Sequence, residues 1–76
     1  MKNTLLIIDA DNELADLLAL YLESEGFKVE CSYDGEMGEK RAVNHEFDAI
    51  ILDITLPKRN GFEVLKTIKA HVERLF

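Results

Sequence analysis

The sequence predicts an α/β domain, a three-stranded parallel sheet in the order 2-1-3 with helices on both faces. Three observations carry this reading. Two short apolar runs, Thr4-Leu5-Leu6-Ile7-Ile8 and Phe47-Asp48-Ala49-Ile50-Ile51-Leu52-Asp53, are too brief for helices and nearly continuous, as strands of a parallel sheet are. Stretches of helical periodicity separate the apolar segments and give the order βαβαβα. Right-handed crossovers then set the first strand between the second and the third.

The first strand spans Thr4 to Ile8 and ends on Asp9-Ala10-Asp11. Asp11 or Asn12 can cap the helix that follows, whose apolar residues Leu14, Leu17, Leu18, Tyr21 and Leu22 keep the spacing of one face. Gly26 suits the left-handed position that ends it. Phe27, Val29, Cys31 and Tyr33 alternate with Lys28, Glu30 and Ser32, the period of a strand with one solvated face. Asp34-Gly35 turns the chain into a weak helix, 36–44, where Gly38 costs about 1 kcal/mol against alanine and the apolar stripe is thin. The run 47–53 reads as a strand buried on both faces, with Asp53 delivered to its C-terminal edge because burying the acid would be costly. A loop with Pro57 and a turn at Asn60-Gly61 leads to the last helix, with Val64, Leu65, Ile68, Val72 and Leu75 on one side.

A chain of 76 residues makes one small domain, 1–76, which buries only about 60% of the surface its unfolded form exposes. Its formal charge of −6 lacks the basic footprint that nucleic acid or an anionic membrane requires, and fits cations and basic partners better. No apolar run approaches the length of a membrane span, and Met1-Lys2 before a strand does not form a signal peptide, so a cytoplasmic setting is expected. Cys31 has no cysteine partner and is expected to pack on its strand. His45 and His71 are expected to be solvated, Met37 to fill the core edge, and Lys58-Arg59 to be a solvated loop.

Function is sought where the two apolar strands open into carboxylates at one edge, the place where open α/β sheets hold ligands. Asp9, Asp11 and Asp53 are the candidates. Asp9 and Asp11 also have a plain structural reading, as an Asx turn and a helix cap.

The stretches Leu5 to Leu14, Leu22 to Val29, Asp34-Gly35 and, above all, Phe47 to Leu65 resemble the N-terminal part of a response-regulator receiver domain. This is the phosphoacceptor module of two-component signalling, here most similar to the subfamily that continues into a winged-helix transcription factor. The resemblance implies a non-enzymatic phosphoprotein that takes a phosphoryl group from a histidine kinase on Asp53. It also implies Mg2+ shared between Asp53, carboxylates after the first strand, and the backbone carbonyl of Thr55. A carboxylate attacks a phosphoryl dianion poorly unless a hard cation neutralises its oxygens, and magnesium is commonly held by a few carboxylates plus water.

Two features depart from the family pattern. The acid that binds the metal directly falls at Ala10, and a methyl group cannot coordinate magnesium. Weak or absent binding is expected, with Asp9 acting through water and Asp11 a further candidate ligand. The chain also stops after the third helix, where receivers continue with two more strands and helices, and so reads as a truncated receiver. An uncovered third-strand edge and first helix then favour a homodimer or higher oligomer. A pseudo-receiver acting only as an interaction or dimerisation module is one alternative. Another is a haloacid-dehalogenase-like phosphatase, whose Asp-x-Asp motif Asp9-Ala10-Asp11 resembles, with Asp9 as nucleophile and Asp11 as acid and base.

Overall fold

The computed structural model describes residues 3–56 and 58–75, with side chains as far as residue 71. The expected roles of Pro57 in the loop and of Val72 and Leu75 in the last helical stripe lie outside the described residues and side chains. The elements are β1 (Thr4–Ile8), α1 (Asn12–Ser24), β2 (Lys28–Ser32), α2 (Gly35–Asn44), β3 (Ala49–Leu52) and α3 (Gly61–Leu75). The strands form one parallel sheet in the order β2-β1-β3, with Ile8 level with Ser32 on one side and Leu52 on the other.

Alternation along the central strand divides the sheet into two faces. Leu6 and Ile8 point to one face, where they join Ala42 of α2 and Val64 of α3, with Phe47, Ile50, Leu52, Leu56 and Ile68 packed around them. The other face carries α1, as the contact of the Cys31 thiol with the Ala15 carbonyl at 3.8 Å shows. Cys31 thus packs on its strand. Burial, and then the nearby carboxylates of Asp16 and Glu23, push its thiol above the usual range, which leaves it little thiolate character.

Local sequence explains the helix starts. Asp11 accepts from the Leu14 amide at 3.1 Å and Asp34 from the Met37 amide at 2.8 Å, each filling an orphan donor of the first turn. Asn60 Oδ1 does the same for Phe62 at 2.8 Å. Helix α2 reaches the core through small residues, Gly35, Gly38 and Ala42, and not through a stripe of large ones. A Cβ on Gly38 would lie 2.5 Å from Ile8 Cγ2, so the glycine that weakens the helix also lets it sit against the central strand.

Several expectations are corrected. The strand ending before Asp53 is not buried on both faces: it is a sheet edge, and Ala49 and Ile51 are exposed on the α1 side. In α1 the inward residues are Ala15, Leu18 and Leu22, while Leu14, Leu17 and Tyr21 form an exposed flank. The apolar face is therefore rotated from the one drawn through the large residues. Ser32, expected on the solvated face of β2, is 1% exposed because α2 follows at once and covers it, and its hydroxyl finds no partner among the described residues. Tyr33 points outward and donates to Asp16 at 2.7 Å, a bond that raises its pKa. Met37 and Leu65 are exposed instead of packed. His45 is exposed and meets Phe47 edge-on at 6.5 Å.

Candidate functional site

The C-terminal rim of the sheet is fixed by backbone ladders that run past the strands. The Asp9 amide donates to the Ser32 carbonyl at 3.0 Å, and the Asp53 amide donates to the Ile8 carbonyl at 2.9 Å. Because Ile8 and Leu52 are paired Cα to Cα, the next residues, Asp9 and Asp53, emerge side by side from adjacent parallel strands. Both are half-buried. At the opposite rim Asp48 does different work, accepting from the Thr4 amide at 2.7 Å and closing the sheet's N-terminal edge.

Each acid at the C-terminal rim is oriented by its own loop. Asp9 Oδ1 accepts from the Asp11 amide at 2.9 Å, an Asx turn that folds the chain into α1. Asp11 is committed to the α1 cap and exposed, and Ala10 between them is exposed as well. Asp53 Oδ1 accepts from the Thr55 amide at 3.1 Å and from its hydroxyl at 3.2 Å. The loop beyond is closed at its base by the Gly61 amide donating to the Ile54 carbonyl at 2.8 Å. Gly61 is required there, since a Cβ would stand 2.5 Å from the Asp53 carbonyl oxygen.

The structure thus brings Asp9, Asp53 and Thr55 to one rim and turns Asp11 toward the helix. Among the described residues no three His, Cys, Asp or Glu side chains stand close enough together to hold a metal ion. The donors present are hard carboxylate oxygens, right in kind for magnesium and short in number.

The family model of the response regulator receiver domain matches residues 5–75. The chain belongs to the response regulator receiver family. This receiver is 40% identical over 65 residues to the response regulator ArlR of Staphylococcus aureus, a stretch that covers 86% of the chain and 30% of ArlR. Among solved structures it is similar to the CheY-like receiver domain protein of Methanospirillum hungatei, with 33% identity, a TM-score of 0.86, and coverage of 99% of this chain and 58% of that one. It is also similar to TrrA of Thermotoga maritima in complex with Mg2+-BeF, with 30% identity, a TM-score of 0.88, and coverage of 96% and 63%. The receiver chain therefore spans under a third of its curated relative and about six tenths of these two structures. Among its described residues no helix is long and apolar enough to cross a membrane.

Sequence reasoning missed the contacts of the loop after Asp53. Lys58, in the left-handed region at φ 66°, reaches Asp34 at 3.7 Å, and Arg59 pairs with Glu39 and donates to Thr67 Oγ1 at 3.1 Å. The signal was present as a basic pair facing the acidic Asp34, Glu36 and Glu39, but it required knowing that the loop folds back over α2.

Proposed function

We propose that this receiver accepts a phosphoryl group on Asp53 from a histidine kinase, with a weakly held magnesium ion, in the cytoplasm. The observation that supports this reading is the juxtaposition of Asp9 and Asp53 at the C-terminal rim, Asp53 being the acceptor that the family resemblance implies. Magnesium would be held by Asp53, Asp9 and the Thr55 carbonyl, and when bound it supplies charge neutralisation for the phosphoryl oxygens. A relative in complex with Mg2+-BeF supports the choice of cation.

This chain's own residues do the rest. Thr55 engages Oδ1 of Asp53 through two donors, which fixes the carboxylate plane and makes Oδ2 the attacking atom. A P–O bond forms at Oδ2 as the P–N bond of the donor phosphohistidine breaks, and the leaving imidazole takes up a proton. The product is an acyl phosphate. Incubation with magnesium and a small phosphodonor is expected to add one phosphoryl group by intact mass, and the Asp53→Asn variant none. An adduct that survives in the variant, or no adduct in either at any magnesium concentration, overturns the reading.

The exposed apolar flank of α1, Leu14, Leu17 and Tyr21, together with Ile51 on the edge strand β3, favours a second role in self-association. We expect a homodimer by sedimentation velocity at tens of micromolar, and a monomer for Leu17→Glu. A wild-type chain that stays monomeric throughout sets this role aside.

A further inference from the structure

The loop that joins β3 to α3 carries Thr55 of the acceptor site, and the contacts of its Lys58 and Arg59 lead away from the site. Arg59 lies between two helices. Its guanidinium pairs with Glu39 of α2, reaches Glu63 of α3 at 3.8 Å and donates to Thr67 of the same helix at 3.1 Å. Its backbone carbonyl occupies the space that a side chain at Gly35 would need, so the loop rests directly on the first turn of α2. The neighbouring Lys58 reaches back to Asp34, the residue that caps that same turn. At its other end the loop carries Thr55, whose amide and hydroxyl orient Asp53.

A pair of exposed ion pairs is worth little to stability, with a median of about 0 to 1 kcal/mol each. Arg59 differs in that one side chain bonds two helices while its backbone carbonyl is wedged against Gly35 of α2. We infer that Arg59 is a positioning residue, which, by joining Glu39 of α2 to Thr67 of α3, sets the conformation of the acceptor loop and couples the placement of α2 to the orientation of Asp53 by Thr55. The inference rests on the acceptor reading for its consequence, though not for its geometry. A shift of α2 moves Glu39, Arg59 follows, and the Thr55 donors turn with the loop.

The test uses the metal-free protein and the variants Glu39→Gln, Arg59→Gln and the double variant, with amide exchange followed by NMR. Each single change is expected to speed exchange of the Gly61 amide about tenfold and to shift the Thr55 amide resonance. The double variant is expected to do no more than either single, as for two residues in one bonded network. Amides of the central strand β1 serve as the control for global opening and are expected to be unmoved. Additive effects of the two changes, or an unchanged Gly61 amide, overturn the coupling. Should Arg59→Gln fail to fold, Arg59→Lys, which keeps the charge but not the fork that reaches Thr67, is expected to give part of the effect, and no effect overturns it. Phosphoryl loading of the same variants separates the two ideas. Faster Gly61 exchange with no adduct in wild type sinks the acceptor reading alone, whereas a normal adduct with unaltered exchange sinks the coupling alone.

Discussion

Installing a carboxylate by Ala10→Asp is expected to tighten magnesium binding by at least about tenfold, since loss of even an outer-shell partner commonly costs a metal site about 10- to 100-fold. Ala10 is exposed and sits between Asp9 and Asp11, immediately after the strand that delivers Asp9 beside Asp53. A third carboxylate there would join the two of the rim and the Thr55 carbonyl in the proposed ligand set. The same change should weaken the metal-free protein slightly, because it adds a like charge to a rim that already holds two carboxylates. Magnesium would then stabilise the variant more than wild type, since the stabilisation grows as the logarithm of one plus the ratio of free magnesium to Kd. Calorimetric titration with magnesium, paired with melting curves with and without the cation, checks both. Equal affinity in the two proteins would mean that position 10 does not face the Asp53 carboxylate.

Gly35→Ala is expected to destabilise the fold by about 1 to 2 kcal/mol, lowering the melting temperature by roughly 5–10 °C on the scale of a domain this size. Two effects oppose each other. Alanine favours the helix over glycine by about 1 kcal/mol. Against it, the new Cβ would fall on the Arg59 backbone carbonyl, which cannot rotate aside as the tip of a side chain can. Overpacking against backbone forces the loop or the helix to move, at a cost of about 1–3 kcal/mol and occasionally more. The clash wins because the overlap is with backbone atoms of Arg59 and only a displacement of the loop or the helix relieves it. Thermal unfolding of the variant measures the difference, and a melting temperature at or above wild type would mean that the loop yields freely. Gly38→Ala makes a useful contrast, since its clash is with the side chain of Ile8, which has other rotamers.

The sheet order and the meeting of Asp9 with Asp53 were legible because they follow from two simple facts, strand ends marked by acids and the handedness of crossovers. The turn at Asn60 was equally plain, and the cap of α1 was narrowed to Asp11 or Asn12, of which Asp11 fills the role. What the sequence misjudged was burial. The run ending at Leu52 looks like the run ending at Ile8, but an apolar run reports a strand's hydrophobicity and not its place in the sheet. In α1 both the series Leu14, Leu17, Tyr21 and the series Ala15, Leu18, Leu22 have helical spacing. The smaller Ala15 hid the true inner face. The Arg59 contacts were illegible for a different reason, since they depend on a loop whose path includes a left-handed Lys58 that no local pattern announces.

The rim that holds Asp9 and Asp53 is built from three stretches distant in the chain, tied by the amides of those two acids to Ser32 and Ile8. Each closure removes chain entropy that only the finished sheet repays, so a partly formed molecule has no residual pocket to offer. Occupancy and folding are in that sense linked: a cation bound at that rim would draw the polypeptide toward its ordered form, and fraying of β3 would part Asp53 from Asp9.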